Sequence, residues 1–452
     1  FYDSQNQFPN VVSIVVNGAS KCSGSLINNR TVLTAAHCLV TTSDQISLQP
    51  IASYGASISS VYNHQNYTGT SNDIALVSLS DPAVNITPVT LMNSSTQIPR
   101  PNAPLVMAGY GVYGNGINCC GYDNRRRVAT TELGAYDLIN GQYFYQAQFR
   151  NPTSPNNPND FGVTAPVSKT EGAPGPGDSG GPLFLSTSGG LIQIGVAQSV
   201  SPSRDIRYGS FTYWTPVNVY LDWINQNNPL RTVNNIRGNY NWNNSSAWND
   251  AYLDAANPSG AYPNNNFNIN SMVARYYQVT INNPGTINLN MNPTVDSLSI
   301  AGVDSHLNIG TNTLTTLIST NISNGSIDFN GGNLVVATPL SSLLVGDMNV
   351  LRLSGGQING SGIISSTSSV SSCLSAICND GAPIQIAGPT QINNNYKLIS
   401  GVTLLDGGSL KVNGDFSQTG GVLAYSAANR SGGQINVSGR ATLAGTFGAG
   451  SL

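Results

Sequence analysis

Charge is what this sequence has least of. Only 9% of its 452 residues are Asp, Glu, Lys or Arg, against about a quarter in ordinary soluble proteins. The 18 basic and 21 acidic residues leave a net charge of −3. No basic face can be assembled from so few cations, which excludes nucleic acid and anionic membrane as partners. Histidine is scarce as well, with 3 copies, so each one is informative. No apolar run approaches the ~18 residues a membrane-spanning helix needs, so no membrane contact is expected of this fragment. No signal peptide heads the chain, which therefore reads as a mature or trimmed fragment. Gly, Asn, Ser and Thr fill the space that charge leaves, and the length suffices for two domains.

Against that background the string Gly177-Asp178-Ser179-Gly180-Gly181-Pro182-Leu183 stands out. A serine hydroxyl attacks at neutral pH only when a base takes its proton, and the oxyanion that forms needs donors already aimed at it. Glycines around Ser179 let the backbone turn so that the N–H groups of Gly177 and Ser179 converge on one point. Upstream, Thr34-Ala35-Ala36-His37-Cys38 sets a histidine beside a cysteine, and Asn72-Asp73-Ile74-Ala75-Leu76 sets an aspartate at the head of an apolar strand. His37, Asp73 and Ser179 thus occur in the order base, orienting acid, nucleophile.

On these motifs residues 1–228 resemble a trypsin-like (chymotrypsin-fold) serine protease domain. Cys22-Ser23-Gly24-Ser25-Leu26-Ile27 is similar to a strand of that family, Ala108-Gly109-Tyr110-Gly111 to its Gly-Trp-Gly turn, and Tyr220-Leu221-Asp222-Trp223-Ile224 to its closing helix. The resemblance implies an all-β domain of two six-stranded barrels. It implies that Ser179 attacks the scissile carbonyl, that His37 takes and returns the proton, that Asp73 orients His37, and that the Gly177 and Ser179 N–H groups form the oxyanion hole. It further implies a substrate pocket with Ala173 at its floor and its wall on Gln198, Ser199, Val200 and Thr212. Ala173 offers no carboxylate to a basic side chain, and Val200 and Thr212 stand where permissive members carry glycines. Cleavage after small or medium apolar residues is the expectation. In the family a freed N-terminal Ile-Val-Gly-Gly ion-pairs with the aspartate before the nucleophile, here Asp178. This chain begins Phe1-Tyr2-Asp3-Ser4, yet Phe1 stands about 21 residues before Cys22, near enough that its α-amino group is expected to reach Asp178, with a different partner for Asp178 as the alternative.

The 6 cysteines fall in three close pairs. The resemblance implies a Cys22–Cys38 disulfide. Cys373 and Cys378 enclose four residues and are expected to bridge. For the adjacent Cys119 and Cys120, a strained bond, free thiols and intermolecular pairing all stay open. No histidine or second cysteine sits at zinc-ligand spacing near any pair, so no metal and no cofactor is expected. Disulfides in turn point to an oxidising, extracellular compartment.

After Asn228 the chain changes character. Residues 229–275, rich in Asn, Pro, Tyr and Trp, read as a connecting module. From residue 276 to 452 short alternating strands recur between Gly and Asn, as in Gly285-Thr286-Ile287-Asn288-Leu289-Asn290 and Gly433-Gln434-Ile435-Asn436-Val437. Alternation at period two over loose intervals of about 20 residues predicts a right-handed parallel β-helix, cut short at its C-terminal end, with a β-sandwich as the alternative. A protease followed by such a stalk resembles the passenger regions of bacterial serine-protease autotransporters, and Asn292–Ile300 is similar to their rungs. That resemblance implies a secreted or cell-surface monomeric endopeptidase acting on extracellular or host proteins and peptides, with an outer-membrane translocator barrel elsewhere in the full-length protein. The rival reading makes the stalk an adhesin or glycan-binding surface that the protease serves to process or release. Carbohydrate lysis is disfavoured by the sparse charges beyond residue 276.

Overall fold

A computed structural model describes residues 1–450 apart from 53–54, 152–160, 164–165, 202–205, 251–261, 266–274, 338–348, 367–372, 374 and 427–432. The chain divides into two compact units, Phe1–Pro229 and Leu230–Leu452. No helix among the described residues is long and apolar enough to cross a membrane.

The first unit starts from short β-branched runs. Strand β1 (Val11–Val16, VVSIVV) turns through Asn17-Gly18 into β2 (Ala19–Asn28). Both turn residues have positive φ, 51° and 80°, the backbone that an Asn-Gly hairpin needs to match strand twist. With β3 (Thr31–Thr34), β4 (Gln45–Ser47), β5 (Ala56–Asn63) and β6 (Ala75–Leu79) they form a closed barrel in the order β1-β2-β3-β6-β5-β4. Val11, Ile14, Leu26, Val32, Leu33, Leu76 and Val77 are completely shielded from solvent there.

Where a second six-stranded barrel was expected, the described strands form an eight-stranded sheet in which no pairing joins Arg127–Glu132 to Ala135–Ile139. Its path runs Arg127–Glu132, Pro104–Gly109, Pro182–Thr187, Gly190–Ser201, Phe211–Pro216, Gln142–Gln148, Ala135–Ile139, and Thr90–Leu91 adds a short parallel strand beside Gly190–Ser201. At its outer edge, Tyr2 and Glu171 bridge to Arg127 and Thr130.

The second unit is a sheet of 22 described strands in which nearly every pairing is parallel and joins a strand to one two or three places further along the chain. Leu230–Asn235 pairs with Tyr276–Ile281, and Tyr240–Asn241 with Ile287–Asn288. The stretch read as a connecting module thus contributes strands to this sheet, while much of it lies outside the described residues. In-register stacking repeats the same side-chain type: Ile281, Ile300, Ile322, Leu353, Ile386 and Leu405 are successive partners, each at most 5% exposed. Parallel pairing puts like on like, so one apolar position per turn of chain builds a continuous core.

Candidate active site

His37 sits on a one-turn 3-10 segment, Ala36–Cys38, that follows β3 directly. Its backbone N–H donates to Asp73 Oδ1 at 2.8 Å, and its Nδ1 lies 2.6 Å from Asp73 Oδ2. The Asp73 carboxylate is 1% exposed while the imidazole keeps 29%. A buried carboxylate that binds both the backbone and the ring of one histidine fixes the ring's tautomer and leaves Nε2 facing outward. Asp73 is steadied from behind: the Thr215 hydroxyl donates to its carbonyl at 3.2 Å. The helix Leu221–Asn227 closes on the loop before it, with Trp223 Nε1 donating to Gln65 Oε1 at 2.9 Å and the preceding Tyr220 hydroxyl to Asn72 Oδ1 at 3.1 Å. His64 packs between those two rings, and burial lowers its pKa.

Ser179 occupies a turn pinned on both sides. The Ser23 N–H donates to the Ser179 carbonyl at 2.8 Å, and the Ser23 hydroxyl to the Gly177 carbonyl at 2.8 Å. The Gly180 N–H donates to the Ala197 carbonyl at 2.8 Å. Gly180 has φ +82°, and a Cβ there would overlap Thr34 Oγ1 and the Ser23 carbonyl, so only glycine closes this turn. With those carbonyls engaged, the N–H groups of Gly177 and Ser179 donate to nothing among the described residues. The Cys22–Cys38 disulfide forms as the resemblance implied, and Cys38 Sγ lies 3.6 Å from the Ser179 carbonyl. This brings the histidine turn and the serine turn side by side. No hydrogen bond joins Ser179 Oγ to His37 in this resting geometry, as is common before substrate tightens such contacts.

Asp178 points the other way. Its Oδ1 accepts the Gly111 N–H at 2.7 Å and its Oδ2 the Gly175 N–H at 2.8 Å. The carboxylate is closely surrounded although the residue as a whole keeps some exposure. Burial pushes its pKa up to about 6, against the pull of those two N–H groups and of Arg127. The expected ion pair with the N-terminus does not form: the Phe1 ammonium donates to the Val128 carbonyl at 2.9 Å. Both carboxylate oxygens already have backbone partners, and the ammonium acts on Asp178 only as a nearby charge across the cavity they share.

A cavity of 450 Å³ lies beside Asp178, with Ala173, Val112, Ile206, Tyr208 and Trp214 on its walls. Of the residues read as a pocket, Ala173 lines it. Gln198, Ser199, Val200 and Thr212 do not; they lie on the strand pair Gly190–Ser201 and Phe211–Pro216, with Val200 opposite Thr212. The Thr212 hydroxyl turns into the sheet, to the Ala147 carbonyl at 3.1 Å. Gln198 is the extra residue of a bulge, and its Nε2 reaches the Thr70 carbonyl at 2.8 Å. Neither Ser179 nor His37 lines this cavity; Trp214, on its wall, is two residues beyond Thr212 on the same strand, where period-two alternation puts both on one face. Glu171 also borders the cavity but is bound by the Arg150 guanidinium at 2.7 and 2.8 Å. Cys119–Cys120 and Cys373–Cys378 are paired too, and no free cysteine is left among the described residues. The one His/Cys cluster with metal-ligand geometry in that set is Cys22, His37 and Cys38, whose sulfurs are tied up in the disulfide.

Comparison with known proteins places the first unit in a family. A model of the Trypsin family matches residues 2–224. Trypsin alpha of Drosophila melanogaster is 26% identical over 241 residues, which are 51% of this chain and 85% of that protein. Trypsin delta of Drosophila erecta is 27% identical over 200 residues, 42% of this chain and 73% of its own. Serine protease SP24D of Anopheles gambiae is 28% identical over 235 residues, 47% and 76% of the two chains. Residues 2–224 of this chain are a trypsin-like serine protease domain, a hydrolase of peptide bonds.

Proposed function

We propose that the protein is a secreted endopeptidase in which Ser179 is the nucleophile, His37 the general base and acid, Asp73 its orienting partner, and the N–H groups of Gly177 and Ser179 the oxyanion hole. The observation that carries this reading is the double engagement of Asp73 by His37 next to a serine turn whose N–H groups are left without acceptors. In the reaction His37 Nε2 removes the Ser179 proton as Oγ adds to the substrate carbonyl. The new oxyanion takes the two waiting N–H donors, and the proton passes to the leaving amine. Labelling of the folded protein by a fluorophosphonate is expected at Ser179 and absent from Ser179→Ala. Labelling elsewhere, or none, refutes the assignment.

For the substrate, we retain cleavage after small or medium apolar residues. The two carboxylates bordering the cavity are both committed, Asp178 to backbone N–H groups and Glu171 to Arg150, so neither is free to neutralise an incoming Arg or Lys. Profiling a peptide library tests this directly, and a preference for Arg or Lys would overturn it.

We further propose that 230–452 is a right-handed parallel β-helix carried as the stalk of an autotransporter passenger, with 1–228 as the protease domain. The run of parallel pairings one turn of chain apart supports the helix, and the low charge of the sequence supports the passenger.

A further inference from the structure

The turn that carries Ser179 is tied to the start of the chain by buried side chains. Arg126 is 0% exposed. Its Nε donates to Asp3 Oδ2 at 2.9 Å, its Nη2 to Asn6 Oδ1, and its Nη1 to the Val11 carbonyl at 3.0 Å and the Tyr110 hydroxyl at 3.1 Å. Asp3, also buried, accepts the N–H groups of Gln7 and Phe8 at 2.8 and 3.1 Å. The residues before β1 are thereby wrapped around one carboxylate and clamped to one guanidinium. A buried guanidinium deprived of its carboxylate must find another acceptor or move.

Tyr110 is where this clamp meets the site. Its ring is 0% exposed, and its hydroxyl donates to the Gln49 carbonyl at 2.5 Å while accepting from Arg126. At the other end of the residue, the Tyr110 N–H donates to Ser23 Oγ at 2.9 Å, the same hydroxyl that holds the Gly177 carbonyl. Its neighbours Gly109 and Gly111 are the floor on which the Asp178 carboxylate lies. A Cβ on either would overlap that carboxylate, so the fit has no slack. Displacing Tyr110 displaces both supports of the nucleophile turn at once.

We propose that Asp3, Arg126 and Tyr110 are positioning residues: an internal anchor that holds the Gly177–Ser179 turn in its working shape through side chains rather than through an inserted α-amino group. The inference rests on the reading of Ser179 as nucleophile and Gly177 and Ser179 as oxyanion donors. A misplaced oxyanion donor affects the transition state more than substrate binding, which gives the anchor a signature that mere destabilisation lacks.

The test uses the full chain and three changes: Asp3→Asn, Tyr110→Phe, and one residue added ahead of Phe1. Turnover of a fluorogenic peptide is measured with the rate of fluorophosphonate labelling, well below each variant's melting temperature. Asp3→Asn and Tyr110→Phe are expected to lower kcat and the labelling rate together by about tenfold, with KM within about twofold, as for loss of transition-state contacts. The added residue is expected to change neither. If Asp3→Asn does not fold, Tyr110→Phe, which removes one hydroxyl, decides alone. Unchanged kcat in a folded Tyr110→Phe, or loss of activity on adding the residue, overturns the anchor while leaving Ser179 labelled. Failure of the unaltered protein to label at Ser179 would instead overturn the reading of the site, and the anchor with it.

Discussion

Arg126 and Asn308 are both polar residues on β-strands or at their ends, and they show how differently the two units handle polarity. Arg126 is buried and charged, with a partner set of its own in Asp3, Asn6, Val11 and Tyr110, just as buried Arg150 has its own in Glu171. Asn308 is half-buried, neutral and one of a series. Its Nδ2 donates to Asn288 Oδ1 at 3.0 Å and its Oδ1 accepts from Asn330 at 3.1 Å, and Asn359, Asn393 and Asn413 do the same further on. Apart from Asp296 and Arg231, which lie near its start, the buried polar side chains described in the second unit are neutral. Individually matched charges specify one geometry and fail as a set, which suits a site that must be held to a fraction of an ångström. Repeated amides lose little when one is removed, which suits a structure built by stacking.

The sharpest way to test this contrast is to damage each unit and read both properties. Ser179→Ala and His37→Ala are expected to lower kcat on the order of 10⁴-fold or more with no change in the melting temperature of either unit. Any substantial residual turnover, carried by some other nucleophile, would show that the chemistry is not where the first unit concentrates it.

Next in size is Ile300→Ala in the second unit. Ile300 is 0% exposed and stacks between Ile281 and Ile322, so its truncation is expected to cost about 3 kcal/mol of unfolding free energy. Peptide turnover should stay unchanged. Denaturant unfolding and kcat on the same sample check it, and a parallel fall in kcat would break the separation between the units.

The contrast also explains what could be read from the sequence. The strings around His37, Asp73 and Ser179, on which the proposed site rests, could be picked out because they are local: each is short, with a glycine, a cysteine or a strand head inside it. The repeat was legible for a related reason, since apolar and amide positions recur 20 residues apart from Asn288 to Asn308 and from Asn393 to Asn413. It was only loosely periodic because partners such as Asp328 and Asn359, or Asn359 and Asn393, are 31 and 34 apart. The interval between partners lengthens while the parallel register is kept. What stayed hidden was non-local. Nothing in Arg125-Arg126-Arg127 sets its middle residue apart, yet just ahead of the strand Arg126 turns inward while the Arg125 side chain stays 47% exposed. Its partner Asp3 lies 123 residues away. The eight-stranded second sheet was likewise illegible, because its edge pairs with distant residues, Tyr2 and Glu171.

A third test concerns Asp178, the buried acid of the first unit with Arg127 and the Phe1 ammonium as the charges that act on it. Its pKa stands at about 6, above the ordinary 3.8. Because the folded state holds the proton more tightly than the unfolded one, the contribution of this group to stability is full below the ordinary value. It is lost as pH rises through about 6. The change is on the order of 2–3 kcal/mol. Asp178→Asn should remove this pH dependence, so the stability of the unaltered protein relative to the variant should fall between pH 4 and pH 7. A difference that stays flat across that range would mean that the carboxylate is better solvated than its position implies. The same variant should be poorly active, since an amide presents one acceptor where Gly111 and Gly175 need two.

The smallest effect is the most telling about the second unit. Asn308→Ala removes the bond donated to Asn288 and the acceptor of Asn330, and it releases the Gly310 N–H that Asn308 Oδ1 also accepts at 3.1 Å. At a buried charged site such as Arg126 the orphaned partners would stay desolvated and the cost would be several kcal/mol. Here Asn288, Asn330 and Gly310 are only partly buried or exposed, so water can replace what is lost. The expected cost is therefore about 1 kcal/mol, the net worth of ordinary hydrogen bonds rather than their desolvation penalty. Removing a second ladder amide far along the series, Asn413→Ala, should add to the first within about 0.5 kcal/mol. Urea unfolding of the two single variants and the double variant measures this. A double variant much less stable than the sum would mean that the amides act as one cooperative network. The second unit would then resemble the first in the way it secures its polar groups, and the contrast between Arg126 and Asn308 would be one of charge alone.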